Sequence, residues 1–386
     1  MARVYELYAP CHFGMEAVLK KEILDIGYEI SRTMDGRVYF IGDDEAIVRS
    51  NLWLRTAERV MIHVAEFEAL SYDALFEAVK AIEWESYLPK NAKFWVSKVT
   101  SVKSALFSPS DIQSIVKKAI VERLKSVYRI SWFEEDGESY PLRVSLIKDR
   151  VTIGLDTSGE SLHRRGYRKL AAKAPITETL AAALIMLTPW KRDRILIDPF
   201  CGSGTFVIEA AMMAMNMAPG LNREFLSQHW SNLIPKKLWY ESMDEAAEEM
   251  DKEIELDIQG FDIDPIVLRA ARQNAKDAGV LDKIHLQERA VSELSHPKKY
   301  GFIISNPPYG ERLEEKKNLP AIYKALGERY RALEDWSMYI ISSWEEAEKY
   351  IGKTADKNRK IYNGMIKTYY YQYMGAKPPK RGDKSR

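Results

Sequence analysis

Apolar and polar positions follow two different periods along the first 160 residues. An apolar run at 3–10 is followed by Met15, Val18, Leu19, Ile23 and Ile26, spaced as one helical face and closed by Gly27. Two strand-like runs then flank Asp35-Gly36, a pair suited to a tight hairpin turn. A helix over about 43–58 and a strand at 59–67 complete a β-α-β-β-α-β order, that of a small ferredoxin-like unit. The pattern continues with a helical stretch at 71–84, a strand at 93–101, a helix at 109–127 and strands at 141–148 and 151–156. It breaks at Ser158-Gly159-Glu160-Ser161, and 158–175 reads as a linker to a second half.

Beyond the linker the pattern changes character. A helix at 176–188 precedes the buried strand Ile195-Leu196-Ile197; another strand ends at Gly260-Phe261-Asp262, and a third, Phe302-Ile303-Ile304, runs into Asn306. Apolar strands separated by helices, each ending in a polar or glycine-rich turn, predict a doubly wound parallel sheet with its ligands at the carboxyl ends of the strands. The stretch 219–250, with Phe225, Trp230 and Trp239, reads as an insertion in this half. Tyr369, Tyr370, Tyr371 and Tyr373 read as a terminal strand. The fold class is α/β, divided into units at 1–66, 67–160 and 161–386.

Composition changes this picture little. The chain has 386 residues, 46% hydrophobic and 29% charged, and 57 basic residues against 56 acidic ones give a net charge of +1. A nucleic-acid partner therefore has to be argued from local surface, not from total charge. Two cysteines, Cys11 and Cys201, exclude a disulfide framework and fit a reducing compartment, and the six histidines show no metal-ligand spacing. No apolar run approaches the ~18 residues of a membrane span. The expectation is a cytoplasmic protein without a metal or a membrane partner.

Three motifs carry chemistry. The first, Asp198-Pro199-Phe200-Cys201-Gly202-Ser203-Gly204-Thr205, lies between a strand and a helix. Its glycines allow a sharp turn and close approach to a ligand, but it lacks the third glycine of a dinucleotide fingerprint and the Gly-Lys-Ser/Thr of a phosphate loop. An acid ahead of such a turn suits a ligand bearing an ammonium; the alternative is a plain strand-to-helix turn whose Asp caps the helix. The second is Asp262-Ile263, at the end of the next strand, where an acid can accept from ribose hydroxyls. It stands 64 positions beyond Asp198, against ~20 in a dinucleotide-binding unit. The third, Asn306-Pro307-Pro308-Tyr309, sets an amide oxygen and a carbonyl freed by proline as two acceptors for one planar NH2 group. Accepting both hydrogens draws the nitrogen towards sp3 and restores a lone pair for attack on a methyl sulfonium. Tyr309 offers a face on which a turned-out base can stack. Cys201 lies in the glycine turn, away from the acceptor motif, and reads as a small packing residue. The run His163-Arg164-Arg165-Gly166-Tyr167-Arg168-Lys169 is basic without an acid, and Arg164, Arg165, Arg168 and Lys169 are candidates for RNA phosphate contact.

In these segments the chain resembles class I methyltransferases with an N-terminal THUMP RNA-binding domain, and within them the bacterial large-subunit ribosomal RNA guanine-N2 (RlmL-like) enzymes. The similarity also covers Phe13-Gly14-Met15-Glu16, Glu178 to Ala183, Ala218 to Arg223 and Ala355 to Gly364. It implies S-adenosyl-L-methionine as cofactor, held by Asp198, Phe200, Gly202, Ser203, Gly204 and Thr205, with Asp262 and Ile263 at the ribose. It implies that Asn306, Pro307, Pro308 and Tyr309 hold the amine, and that 67–160 is a THUMP-like unit binding large-subunit rRNA. Where such enzymes usually place an adenine-reading acid after the third strand, this chain has Glu288-Arg289, and arginine cannot accept a hydrogen bond. The Asn-Pro-Pro-Tyr motif would equally serve N6 of adenine or a glutamine amide in a protein, and a non-catalytic RNA-binding factor is a further alternative.

Overall fold

The computed structural model describes residues 3–168, 176–310 and 313–379. In chain order the first seven strands and four helices are β1 (Tyr5–Pro10), α1 (Glu16–Asp25), β2 (Glu29–Met34), β3 (Arg37–Gly42), α2 (Asp44–Trp53), β4 (Met61–Glu68), α3 (Tyr72–Ala81), β5 (Lys93–Val102), α4 (Pro109–Tyr128), β6 (Ser139–Ile147) and β7 (Arg150–Asp156). There follow α5 (Glu178–Met186), β8 (Leu196–Asp198), α6 (Thr205–Ala214), α7 (Lys236–Glu248), β9 (Ile258–Asp262), α8 (Pro265–Asp277), β10 (Ile284–Glu288) and β11 (Phe302–Ser305). The last elements are α9 (Leu313–Ala332), β12 (Ser337–Ser342), α10 (Ala347–Ile351), β13 (Lys357–Asn363) and β14 (Ile366–Tyr373). None of the helices among the described residues is long and apolar enough to cross a membrane.

The chain forms two compact units. One comprises 1–11, 19–162 and 223–245; the other comprises 12–18, 163–222 and 246–386. In the first, strands that the sequence pattern divides between two small units join one seven-stranded sheet, in the order β2-β3-β1-β4-β7-β6-β5. Strand β4 is the seam: it pairs antiparallel with β1 on one side and with β7 on the other. Sharing a sheet removes two open edges that separate units would have to protect. Helix α2 stops at Trp53, short of the extent its pattern predicts. The buried carboxylate of Glu22 takes the backbone N–H groups of Arg55 at 2.8 Å and Thr56 at 3.0 Å, which turns the chain out of the helix.

Most of the insertion, 223–245, belongs to this first unit and not to the second half where its sequence position places it. Its aromatic residues are the reason. The Trp230 ring stacks on Tyr140 with centroids 4.8 Å apart, and its indole N–H donates to the Ser139 carbonyl at 3.0 Å. Asn232 accepts from the Tyr140 hydroxyl at 2.6 Å and donates to the Tyr87 carbonyl at 2.9 Å, while Phe225 stacks on Trp239. Trp230 is fully buried. Truncation to Trp230→Ala is expected to cost about 3–5 kcal/mol, read as a lowered urea midpoint; a shift below about 1 kcal/mol would show that the insertion docks without it.

The second unit is built on a sheet in the order β10-β9-β8-β11-β12-β14-β13. Strands β10, β9, β8, β11 and β12 run parallel, and β14 and β13 close the sheet antiparallel. Alternate residues of its strands enter two different cores: Leu196, Phe302, Ile304 and Tyr339 one, Ile197, Ile303, Met338 and Ile340 the other. A sheet covered on both faces needs such continuously apolar strands, and that is why they read as runs without polar alternation. The order reverses between β8 and β11, and the crevice of a doubly wound sheet opens at that point, at the carboxyl ends. Tyr370 and Tyr373 are fully buried in β14, as packing residues of a strand.

Candidate active site

The three motifs lie at the carboxyl ends of adjacent strands. Asp198 ends β8, Asp262 ends β9 and Asn306 follows β11. A side chain outside the motifs ties two of these strands together: the Ser305 hydroxyl donates to Asp198 Oδ1 at 2.5 Å. The same oxygen accepts from the Phe200 backbone N–H at 3.0 Å, so Asp198 organises its own turn. Asp198 is 1% exposed and, among the described residues, forms no ion pair. Burial, with the negative charge of Asp262 as a lesser contribution, pushes its carboxyl up to about 7 against the hydrogen bonds that favour ionisation. An acid held this way lacks a cation.

The glycine turn is shaped by its neighbours. Gly202 (φ +53) and Gly204 (φ +89) take left-handed backbone conformations that favour glycine. A Cβ on Gly202 would meet nothing within 4 Å, so the turn leaves open space there, whereas one on Gly204 would press on Ile208 and Ala271. Gly202 N–H donates to Asp262 Oδ2 at 3.0 Å, joining the first motif to the second. The other Asp262 oxygen takes the Asp264 N–H at 3.0 Å, and burial raises this carboxyl as well. Asp264 in turn caps α8, so only Asp262 is directed to the turn. Ile263 stands 71% exposed beside it. Cys201 is buried against Gly260, where a Cβ would come within 3.1 Å of the thiol sulfur, and burial drives the thiol well above its ordinary value. Such a thiol is a packing group and a poor nucleophile.

Two side chains that the sequence does not assign to this turn hold it. Asn274 of α8, fully buried, donates to the Ser203 carbonyl at 3.1 Å. Arg168 donates to the Thr205 hydroxyl at 2.7 Å and to the Ile176 carbonyl at 3.0 Å, and pairs with Glu178 at 3.2 Å. Arg165 is 2% exposed, 3.5 Å from the buried Glu209, which also accepts from the Tyr167 hydroxyl at 3.1 Å. The phosphate-contact expectation is corrected by this arrangement: Arg165 and Arg168 point inward to carboxylates, and Arg164 is the exposed arginine of the run. Lys169 lies outside the described residues.

At the acceptor motif, Asn306 Oδ1 is buried and, among the described residues, has no hydrogen-bond partner. An unsatisfied buried acceptor is costly, of order 1–3 kcal/mol, and calls for an explanation. Pro307 is buried and Pro308 exposed. The Tyr309 hydroxyl accepts from Asn363 Nδ2 at 3.1 Å, so the last hairpin reaches this loop. Gly310 (φ +74) closes the motif where a Cβ would strike Lys316 and Leu319 of α9. The Arg289 guanidinium is turned back from the end of β10: it donates to the Ser295 hydroxyl at 2.9 Å and to the Glu293 carbonyl, and lies 5.1 Å from the Phe261 ring centre. Its backbone N–H donates to the Asp262 carbonyl at 3.0 Å. Among the described residues, no cluster of His, Cys, Asp and Glu is arranged to hold a metal ion.

A glycine turn, two acids without an ion pair among the described residues and a buried amide acceptor at the switch point of the sheet are the arrangement that the methyltransferase expectation calls for. Residues 165–372 match the family described as RMKL-like, methyltransferase domain, residues 6–61 the RlmL ferredoxin-like domain and residues 69–156 the THUMP domain. The chain belongs to the RMKL-like methyltransferase family. It is 48% identical to YpsC of Bacillus subtilis (strain 168), provisionally named an RNA methyltransferase, over 98% of both chains. It is 34% identical to the ribosomal RNA large subunit methyltransferase K/L of Cellvibrio japonicus (strain Ueda107), covering 94% of this chain but 50% of that one. The chain thus spans half the length of that K/L protein. Among solved structures, SMU.472, complexed with SAH, is 41% identical with a TM-score of 0.93, covering 98% of this chain and 100% of that one.

Proposed function

We propose that this protein methylates an exocyclic base amine in structured RNA from S-adenosyl-L-methionine, and that the amine is guanine N2 in large-subunit ribosomal RNA. The observation that carries the reading is the buried Asn306 Oδ1, without a partner among the described residues, just beyond β11, the strand beside that of Asp198. The residues fit the cofactor. Asp198 is a buried acid lacking a cation, which the methionine ammonium supplies; Gly202, Ser203, Gly204 and Thr205 wrap the methionine part beside Phe200. Asp262 accepts from the ribose, and Ile263 offers the adenine an apolar face. Arg289 is folded away on its own turn, leaving adenine to packing and backbone groups. The names of YpsC and the K/L relative support RNA as substrate, as does the THUMP match, and SAH in SMU.472 supports the cofactor.

The bound cofactor supplies an electrophilic methyl group. Asn306 Oδ1 and the Pro307 carbonyl each accept one hydrogen of the amine, which orients its nitrogen and localises the lone pair. Pro308 fixes the loop, and Tyr309 stacks on the turned-out base. Asn306 is not a base, so the proton leaves the methylated nitrogen to water. Positioning supplies most of the rate in such a transfer.

The test is transfer of labelled methyl to unmodified transcripts of both large ribosomal RNAs, duplex DNA and bulk protein. Label that digests to N2-methylguanosine in large-subunit RNA is the expected result. Label confined to DNA or protein would overturn the RNA assignment, and label recovered as N6-methyladenosine the choice of base.

A further inference from the structure

The hairpin β13–β14 has one face that packing explains only in part: Tyr369 is half-buried against the core, whereas Lys360, Tyr362 and Lys367 are exposed. From Lys357 to Tyr373 it contains Lys357, Arg359, Lys360 and Lys367 and no acid. Arg359 is engaged, donating to the Gly14 carbonyl at 3.1 Å. The register sets Lys360 opposite Tyr369 and Tyr362 opposite Lys367, and directly opposed side chains share a face. Ile361 and Thr368, opposite each other on the other face, are fully buried and satisfy the core. The remaining face is a checker of lysine and tyrosine. The Lys360 ammonium lies 5.3 Å from the Tyr362 ring centre and that of Lys367 5.1 Å from the Tyr369 ring centre. Tyr362 is 42% exposed, and Met365 at the tip is 97% exposed. Lysines commonly guard an edge strand, but exposed aromatic and apolar side chains do the opposite, so protection of the edge does not account for the face. Asn363, the last residue of β13, is the residue that donates to the Tyr309 hydroxyl.

We infer that this face docks the single-stranded RNA flanking the nucleotide whose amine enters the Asn306 site. Lysines spaced with aromatics are the pattern that tracks a nucleic-acid backbone and stacks its bases, largely without regard to sequence. Lys360 and Lys367 contact phosphates and Tyr362 stacks a neighbouring base. The Asn363–Tyr309 hydrogen bond joins this surface to the loop that holds the amine, so RNA held on the hairpin is delivered next to it. The inference rests on the RNA reading above and adds where the substrate strand runs.

The experiment uses the full chain and fragments of a large-subunit rRNA transcript. Binding is measured over a range of salt for the wild type, for Lys360→Gln with Lys367→Gln, and for Tyr362→Ala. Each lost phosphate contact on a single strand removes about 0.7 from the slope of log affinity against log salt, so the double variant should lose about 1.4. Its affinity should fall about tenfold, and Tyr362→Ala should lower affinity at least about fivefold with an unchanged slope. SAH affinity by calorimetry should match the wild type in every variant, which excludes misfolding. Unchanged affinity and slope in the lysine variant would overturn the inference. Failure of the wild type to methylate any RNA would sink the parent reading alone, since the binding slopes still decide the hairpin.

Discussion

Replacing Asn306 by alanine is expected to slow methyl transfer by about 10²- to 10³-fold and to leave SAH affinity within about twofold. The asymmetry follows from where the side chain acts. Its Oδ1 has no partner among the described residues and is not part of the glycine turn, so on the proposed reading its interaction is made with the acceptor amine. That interaction strengthens as positive charge develops on the nitrogen, and a contact stronger in the transition state lowers kcat more than it raises KM. The variant also removes a buried acceptor without a partner among the described residues, so the thermal midpoint should hold or rise. Single-turnover transfer, calorimetry and a melting curve separate the outcomes. Lost transfer together with lost stability would assign Asn306 a structural role and remove the main support for the proposed chemistry.

Asp198→Asn should abolish cofactor binding, by about 10²-fold or more, and at the same time stabilise the protein at alkaline pH. The Asp198 carboxyl stands at about 7 in the folded chain against 3.8 for an ordinary Asp. Between those values the folded protein holds a proton that the unfolded chain has released, so this group's contribution to stability falls as pH rises through that window. Asparagine removes the penalty. Little change is expected at pH 4 and a gain of up to about 4 kcal/mol at pH 8. For the wild type the same titration works in the other direction on the ligand. The ammonium of the cofactor requires the ionised carboxyl, so SAH affinity should be about tenfold lower at pH 6 than at pH 8. A flat affinity profile, with binding retained in Asp198→Asn, would place the ammonium elsewhere.

These two residues were legible because each is announced by its local chain: an acid or amide at a strand end, with glycines or prolines forcing the turn that follows. The doubly wound sheet was legible for a related reason, since strands covered on both faces must be continuously apolar. Residues whose role depends on a partner far along the chain were not. Ser305 reads as the last residue of an apolar strand until β11 lies beside β8, 107 positions away from Asp198. Asn274 and Asn363 are ordinary polar residues of a helix and a hairpin until they meet Ser203 and Tyr309. The basic run misled most. Arginine density suggests a surface, yet Glu178 and Glu209, separated in sequence from the run, draw Arg168 and Arg165 inward. The insertion is the same lesson at larger scale: its aromatics signal burial, but only Tyr140 and Ser139 say where.

The two units lend each other a piece of chain: 12–18 lies with the second, 223–245 with the first. No single peptide bond therefore divides the protein into two self-sufficient parts. A cut after Leu162 leaves the first part without Trp230, its ring partner for Tyr140, and deprives the second of Met15 and Val18, which sit in its hydrophobic core. A recombination event at the apparent boundary would therefore damage both products. The chain is stitched, so each part is whole only when the full chain is present.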